Sequence, residues 1–308
     1  MKKAILLFMF NLMCFLVMGQ SNIRLNNYWA NTLNINPAAI YDKYVASFSV
    51  AANKHWVGFP GAPLTFFGSA TTYLEDYHTQ LGLKLVQDKI GYTSTTNINL
   101  SYGYAIMFQR DWQLHLGLGG NYQRMSYDLS QVQLASDTDS EAYQYLLSQD
   151  NVNADIGMEV TSRSLRFGAA SQNIFSLFSP ETNRVQTNTN FIYAKYRQFT
   201  NSIVNLGAGA CYVQYSNMYQ MEFNLTSYFK FSRHSGLIEQ PDLFDLGIYY
   251  RTRSEVGLIL GFNLSEALHV SYSYDFNVSG IRRSSYGTNE LMITYNLTKK
   301  PVCRNCWY

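Results

Sequence analysis

The residues of this sequence that could do chemistry are few, and they form no recognisable catalytic set. The sequence contains no nucleophile elbow, no phosphate-binding loop and no zinc-protease motif. Five histidines occur without ligand-like pairing: His55, His78, His115, His234 and His269. A hydrolase would need a serine or an aspartate close to His115 or His269. The sequence therefore predicts no catalytic residue, no metal site and no cofactor.

Two cysteines lie close together near the end of the chain. Cys303 and Cys306 form a C-x-x-C motif in a basic tail, residues 299–308. Two thiols are only half of a structural zinc site, and the thioredoxin-type motif belongs at the start of a helix that follows a strand. In an oxidising compartment we predict a local disulfide between them, with a metal or partner contact as the alternative.

Residues 54–63 combine aromatic side chains with the residues that build tight turns, in the order Lys-His-Trp-Val-Gly-Phe-Pro-Gly-Ala-Pro. A rigid turn that carries Trp56 and Phe59 offers contact area at a low cost in conformational entropy. The segment is either a recognition surface or a turn that only reverses the chain, and the sequence leaves both open.

The elements that would position these residues are strands with two unlike faces. In residues 112–122 the apolar face consists of Trp112, Leu114, Leu116, Leu118 and Tyr122. The opposite face consists of Gln113, His115, Gly117, Gly119 and Asn121. Successive side chains of a strand point to opposite sides, so one side of this strand suits hydrocarbon and the other suits water. The same alternation recurs in residues 97–108, 152–159, 268–276 and 290–297.

The first residues are typical of an export signal. Lys2 and Lys3 precede an apolar run from Ala4 to Met18, and cleavage after Gly19 would remove residues 1–19 as a signal peptide. Tyr and Phe total 44, charged residues make up only 14% and the net charge is +2, which gives no indication of a nucleic-acid partner. Mean hydropathy is −0.16, a value compatible with alternating strands. Together these features predict an all-β, outer-membrane antiparallel β-barrel with a polar lumen.

We predict about fourteen strands. Their approximate ranges are 45–53, 64–73, 80–88, 95–109, 112–128, 152–161, 165–173, 190–199, 204–215, 218–231, 242–251, 255–262, 268–276 and 289–297. The pattern is weakest in 165–173 and 190–199, because Lys195 and Arg197 share a face with Phe191 and Tyr193.

An even number of strands places the N- and C-termini together, in the periplasm. Tight periplasmic turns are then expected at residues 110–111, 162–164 and 263–267, and mostly long outer loops at 54–63, 129–151, 174–189 and 277–288. We expect residues 20–44 to form a periplasmic strap or a partial plug, residues 45–298 the barrel, and residues 299–308 a tail.

Several motifs, in order along the chain, resemble one family. They are Asn-Ile-Asn-Pro-Ala-Ala at residues 34–39, the segment 54–63, Gln-Asp-Lys-Ile-Gly at 87–91, Tyr-Asp-Phe-Asn-Val-Ser-Gly-Ile-Arg at 274–282 and Asn-Glu-Leu-Met-Ile-Thr-Tyr at 289–295. Together they resemble the PorP/SprF family of type IX secretion system membrane proteins of Bacteroidota. The candidate partner-binding residues are Trp56, Phe59, Pro60, Gly61, Asp88, Lys89, Arg282 and Arg283.

The resemblance implies a non-enzymatic barrel that helps to export or anchor a secreted, adhesin-like client. Its partners would be this client, periplasmic and outer-membrane components of the type IX system, and outer-membrane lipid, but no nucleic acid. The family contains a core secretion component and paralogues dedicated to one client, and we expect the second type because no periplasmic domain follows the barrel before Tyr308. The alternatives are a small-solute channel, which large inward residues would disfavour, and an outer-membrane hydrolase.

Overall fold

The computed structural model describes residues 25–109, 111–128, 148–178, 187–200, 202–215, 218–230, 242–252, 254–278 and 285–298. Its strands are β1 (Tyr44–Lys54), β2 (Leu64–Leu74), β3 (Thr79–Ile90), β4 (Thr93–Gln109), β5 (Trp112–Tyr127), β6 (Ser148–Thr161), β7 (Leu165–Gln172), β8 (Thr189–Arg197), β9 (Val204–Tyr215), β10 (Met218–Lys230), β11 (Asp242–Arg251), β12 (Glu255–Asn263), β13 (Leu268–Asn277) and β14 (Thr288–Thr298). In the described ranges these fourteen strands pair in chain order, and β1 closes the ring against β14. The prediction of an all-β, antiparallel barrel of about fourteen strands is confirmed.

Apolar side chains cover the outer face of the barrel. In β4 the side chain of Leu100 is 64% exposed while its neighbour Asn99 is buried, and in β14 Leu291 is exposed while Glu290 is buried. Outward positions on the other strands are likewise held mostly by exposed aliphatic and aromatic side chains. Such a face suits the hydrocarbon of a membrane, and every strand edge is paired because the ring is closed.

The two ends of the barrel differ in the length of their connections. The end that we call the loop end carries the connections 55–63, 91–92, 128–147, 173–188, 216–217, 252–254 and 278–287. The opposite end, the turn end, carries 75–78, 110–111, 162–164, 198–203, 231–241 and 264–267. Most of the long connections therefore lie at one end. We predicted this by assigning successive connections alternately to the two ends of the barrel.

Several strands extend further than the sequence pattern indicates. β3 and β4 continue to a two-residue connection at 91–92, and β6 begins at Ser148, four residues before the predicted start. The added residues are mainly polar and show no apolar alternation. The hydrogen-bonded ladder thus continues beyond the apolar band, so hydropathy marks the band and not the ends of the strands.

In the described ranges, helical structure is limited to single turns. Short 3-10 helices occur at Thr32–Asn34, Glu75–Tyr77 and Ile174–Leu177. None of the helices in the described residues is long and apolar enough to cross a membrane.

Candidate functional site

Residues 25–43, which we call the lumen segment, pass through the interior of the barrel before β1 begins. At the loop end, Arg251 Nη2 donates a hydrogen bond of 3.1 Å to Leu25 O. At the turn end, Gln113 Nε2 donates a bond of 3.3 Å to Asp42 Oδ2. Nearly all residues between these points are buried. The segment therefore runs the length of the lumen, with Leu25 at the loop end and residue 43 at the turn end. Thr298, the last residue of β14, also lies at the turn end.

A carboxylate of the wall holds the start of the lumen segment. Glu290 accepts hydrogen bonds from the main-chain N–H groups of Asn26 at 2.6 Å and Asn27 at 2.8 Å. Their side chains donate to Asp275 Oδ2 at 2.9 Å and to Ser271 Oγ at 2.8 Å. Hydrogen bonds to ionised acceptors are among the stronger ones in proteins.

Arg251 connects the wall to the same part of the segment. Its guanidinium pairs with Glu222, pairs with Glu255 at 2.9 Å, and donates to Asn26 Oδ1 at 2.9 Å. Trp29 Nε1 donates to Glu222 at 2.9 Å. All of these groups are buried, so each charge is stabilised by its protein partners and not by solvent.

An apolar patch of the wall faces the other side of the segment. Leu25, Tyr28 and Ile35 belong to one buried cluster with Phe67, Ala170, Phe191, Tyr193, Cys211, Val213 and Met292. This packing explains the mixed face of β8. Phe191 and Tyr193 point inward beside Lys195 because the lumen there is filled by protein and not by water.

Lysines and glutamines hold the main chain of the segment in the middle and at the turn end. Lys195 Nζ donates to Trp29 O at 2.6 Å. Lys84 Nζ and Gln172 Nε2 both donate to Asn34 O, at 3.1 and 3.0 Å. Nearer the turn end, Gln80 donates to Ala39 O and accepts from the N–H of Tyr41, both at 2.8 Å.

Asn36 lies at the centre of a second buried polar cluster. Its Nδ2 donates to the hydroxyl of Tyr193 at 3.0 Å, and that hydroxyl donates to Glu159 at 2.6 Å. Arg166 pairs with Glu159 at 3.0 Å, and His115 Nδ1 lies 3.4 Å from the same carboxylate. The predicted polar face of the lumen therefore serves to bind the chain's own residues.

Two glycines of the wall make room for this part of the segment. A Cβ added at Gly117 would overlap the main chain of Pro37 and Ala38, and a Cβ at Gly157 would lie 3.0 Å from Asn36 Cγ. At Gly117 the backbone of the segment thus approaches the backbone of the wall more closely than any larger residue permits, and at Gly157 the side chain of Asn36 does so.

The predicted aromatic loop is rigidly tied at the loop end. The N–H of Val57 donates to Gly287 O, and the N–H of Tyr286 donates to Val57 O, both at 2.8 Å. Gly58 adopts a φ of +92°, and a Cβ there would lie 2.6 Å from the Tyr286 ring. Phe59 is 41% exposed and Tyr286 78% exposed. The connections 55–63 and 278–287 therefore present aromatic rings on one surface.

The other predicted partner-binding residues have different surroundings. Pro60 and Gly61 are exposed in the same loop, and Gly91 N donates to Gly61 O at 3.0 Å. Asp88 is buried and accepts a hydrogen bond from Thr65, whereas Lys89 is exposed. Trp56, with a φ of +46°, packs edge to face against Phe59. Arg282, Arg283, Cys303 and Cys306 lie outside the described residues.

Sequence reasoning missed the residues that join the wall to the lumen segment. Arg251, Glu222 and Glu290 each occupy an inward position of a strand, so their placement on the polar face follows from alternation. Their shared contact with the lumen segment could not be inferred, because this Asn-rich segment has no periodic pattern of apolar residues. No sequence motif indicated that Tyr286 lies beside the aromatic loop either. We predicted a strap or partial plug for residues 20–44, and whether these residues act as a plug stays a prediction.

His55 lies where β1 enters the aromatic loop. Its N–H donates to Pro63 O at 3.0 Å, and burial lowers the pKa of its imidazole to about 4. Burial disfavours the charged imidazolium, so this histidine is neutral at physiological pH.

The surroundings of the two histidines considered for a hydrolase are those of lumen residues. His115 contacts Gln113 and Glu159, and His269 lies 3.0 Å from Asp245. Both face the interior of the barrel and not its lipid edge. In the described ranges, no group of three or more His, Cys, Asp or Glu residues is arranged to hold a metal ion.

Sequence comparison identifies a family. Residues 17–295 match the family described as "Type IX secretion system membrane protein PorP/SprF". No curated protein matches the chain significantly.

Solved structures similar to the barrel include a Pseudomonas aeruginosa FadL homologue, with 12% identity, 85% of this chain and 92% of that chain covered, and a TM-score of 0.45. Another is the Pseudomonas putida toluene transporter TodX, with 8% identity, 89% and 93% covered, and a TM-score of 0.46.

Proposed function

Because the chain belongs to the PorP/SprF family of type IX secretion system membrane proteins, we propose that it binds a secreted client at the loop end of its barrel. A closed barrel with an apolar outer face, in this family, is an outer-membrane component of the secretion system. In the proposed role it helps to export the client or holds it at the cell surface, without catalysis.

The occupied lumen is the observation that carries the proposal. The lumen segment fills the interior from Arg251 at one end to Gln113 at the other. While residues 25–43 occupy the lumen, the surface open to a client is the rigid aromatic surface at the loop end. The same observation disfavours the alternative of a small-solute channel.

The orientation of the barrel in the membrane follows from the lengths of its connections. Outer-membrane barrels have short periplasmic turns and longer outer loops, so the turn end with Thr298 faces the periplasm in this proposal. Leu25 then lies at the outer end. Our prediction that both termini are periplasmic concerns residues 1–24 and 299–308 and stays a prediction. Periplasmic type IX components would meet the turn end, and the client would meet Phe59 and Tyr286.

Co-purification from detergent extracts tests this role. We expect the double variant Phe59→Ala/Tyr286→Ala to lose the large secreted client, because exposed aromatic anchors each contribute about 2 kcal/mol or more to binding, about 30-fold in affinity. The matched control is Tyr77→Ala, since Tyr77 is 71% exposed in a connection at the turn end.

The control should retain the client, and both variants should retain periplasmic partners. Equal recovery of the client with the double variant and the control would contradict binding at the loop end. Recovery of no type IX component with the unaltered protein would contradict the role itself.

A further inference from the structure

The wall of the lumen binds the main chain of the segment as often as it binds the side chains of the segment. In the described residues, eight hydrogen bonds join wall side chains to main-chain atoms of residues 25–43. The wall residues that make them are Glu290, Arg251, Lys195, Lys84, Gln172 and Gln80. Every polypeptide carries such N–H and C=O groups, so these contacts do not depend on the side chains of the occupant.

The wall also has hydrogen-bonding capacity that the segment does not use. Ser273 and Asn53 both pair in register with Glu290, and both are buried at the loop end of the lumen. Within the described part of the chain, Ser273 Oγ and Asn53 Oδ1 have no hydrogen-bond partner. Buried polar atoms without partners are unfavourable, so the present occupant does not satisfy this wall completely.

The turn-end half of the lumen fits a backbone closely. Gly117 leaves only the space that the main chain of Pro37 and Ala38 fills, and Gly157 leaves the space that the side chain of Asn36 fills. Specificity for the side chains of the occupant comes from amide and indole groups. In the loop-end half, Asn26, Asn27 and Trp29 donate to wall oxygens. The channel thus suits a polypeptide rather than a small apolar solute.

We propose that the lumen is an exchangeable polypeptide-binding channel, in which residues 25–43 are the resident ligand and a second polypeptide segment binds when they withdraw. The inference deepens the proposed function, because in the cell a secreted client would supply that segment. Its test uses a synthetic peptide, so its outcome does not depend on whether a client binds at the loop end.

The probe is a fluorescent peptide with the sequence of residues 25–43, added to the full-length protein in detergent. A protein variant, Asn26→Ala/Asn27→Ala, weakens the resident segment while leaving the wall unchanged. It removes hydrogen bonds to Asp275, Ser271 and Arg251. Since the resident competes with the probe, we expect this variant to bind the peptide about tenfold or more tightly than the unaltered protein. A control peptide with both asparagines replaced by alanine should bind more weakly.

A disulfide provides the decisive control. The Cβ that Gly157→Cys introduces would lie 3.0 Å from the site of Asn36 Cγ, which a cysteine sulfur would occupy. In a disulfide the Cβ of one residue lies about 3.0 Å from the sulfur of the other, given the standard bond lengths. The pair Asn36→Cys/Gly157→Cys, with the native cysteines replaced, therefore fixes the resident in the lumen when oxidised.

Combined with Asn26→Ala/Asn27→Ala, the oxidised pair should abolish peptide binding, and a reductant should restore it. A photo-reactive group at the probe position that corresponds to Asn36 should crosslink to β6 or β8. Peptide binding that persists in the oxidised pair would overturn the proposal, because the peptide would then be bound outside the lumen. Failure of the folded Asn26→Ala/Asn27→Ala protein to bind the peptide would overturn it as well.

Discussion

The two halves of the lumen hold the same segment by different means. At the loop end, the buried charges of Arg251 and Glu290 bind the main chain of the segment and Asn26, and Glu222 accepts from the indole N–H of Trp29. At the turn end, Gly117 allows the backbone of the segment to lie directly against the wall, and Gly157 leaves room for the side chain of Asn36. The loop-end half therefore depends on charges that contact the segment directly, and the turn-end half depends on available space. The buried Arg166–Glu159 pair of the turn-end half reaches Asn36 only through the Tyr193 hydroxyl. Substitutions that remove charge should damage the first, and substitutions that add volume should damage the second.

The largest effect is expected at the loop end, from Arg251→Met. This change leaves Glu222 and Glu255 buried without their cationic partner, and breaking a buried pair in this way costs about 3–5 kcal/mol. Thermal unfolding in detergent, followed by the shift of the folded band on a gel, measures it. The matched control is Arg124→Met, whose pair with Asp150 is exposed on both sides and should contribute about 1 kcal/mol or less. Similar losses for the two variants would refute the special dependence of this half on charge.

A smaller effect is expected at the turn end, from Gly117→Val. The added side chain would occupy the space of Pro37 and Ala38, and overpacking of this kind costs about 1–3 kcal/mol. The segment should also become accessible to a protease added in detergent. Gly120→Val is the control on the same strand, because a Cβ at Gly120 meets nothing within 4 Å. If the control is destabilised as much as Gly117→Val, the loss reflects the strand and not the segment.

The smallest effect is local and concerns the loop end alone. The pKa of His55 is about 4 in the folded loop and about 6.5 when the loop is unfolded. As the pH falls below about 6.5, the unfolded loop takes up a proton that the folded loop does not, so the folded loop loses stability progressively until the pH reaches about 4. The fluorescence of Trp56, whose ring centre lies 6.4 Å from that of His55, should report the change. It should be absent in His55→Gln, and a transition of equal size in that variant would assign it to another group.

The strands could be predicted from sequence because the membrane imposes a simple rule on their outer face. Leu100 and Leu291 alternate with Asn99 and Glu290, and this period of two located most strands of the barrel, with the weakest signal at β7 and β8. Strands β3, β4 and β6 were predicted too short, because the residues beyond the apolar band are mainly polar on both faces. Hydrogen bonds, not hydropathy, determine where these strands end.

The candidate site could be predicted only in part. Gly58 and Pro60 correctly indicated a tight turn that carries Trp56 and Phe59, but nothing local indicated that Tyr286 packs beside it. The opposite surroundings of Asp88 and Lys89 follow from alternation, because adjacent strand residues face opposite sides. Several contacts of the lumen segment join residues more than 200 positions apart, such as Asn26 and Glu290, and no local pattern records such pairs.

The enclosure of the lumen segment bears on the order of biogenesis. The segment leads directly into β1, and β1 is the strand that pairs with β14 to complete the ring. If residues 25–43 already lie inside the curved, incomplete sheet when its last strand is added, the ring encloses them without their having to enter a finished wall. The order of assembly therefore favours these residues over any segment that reaches the lumen later.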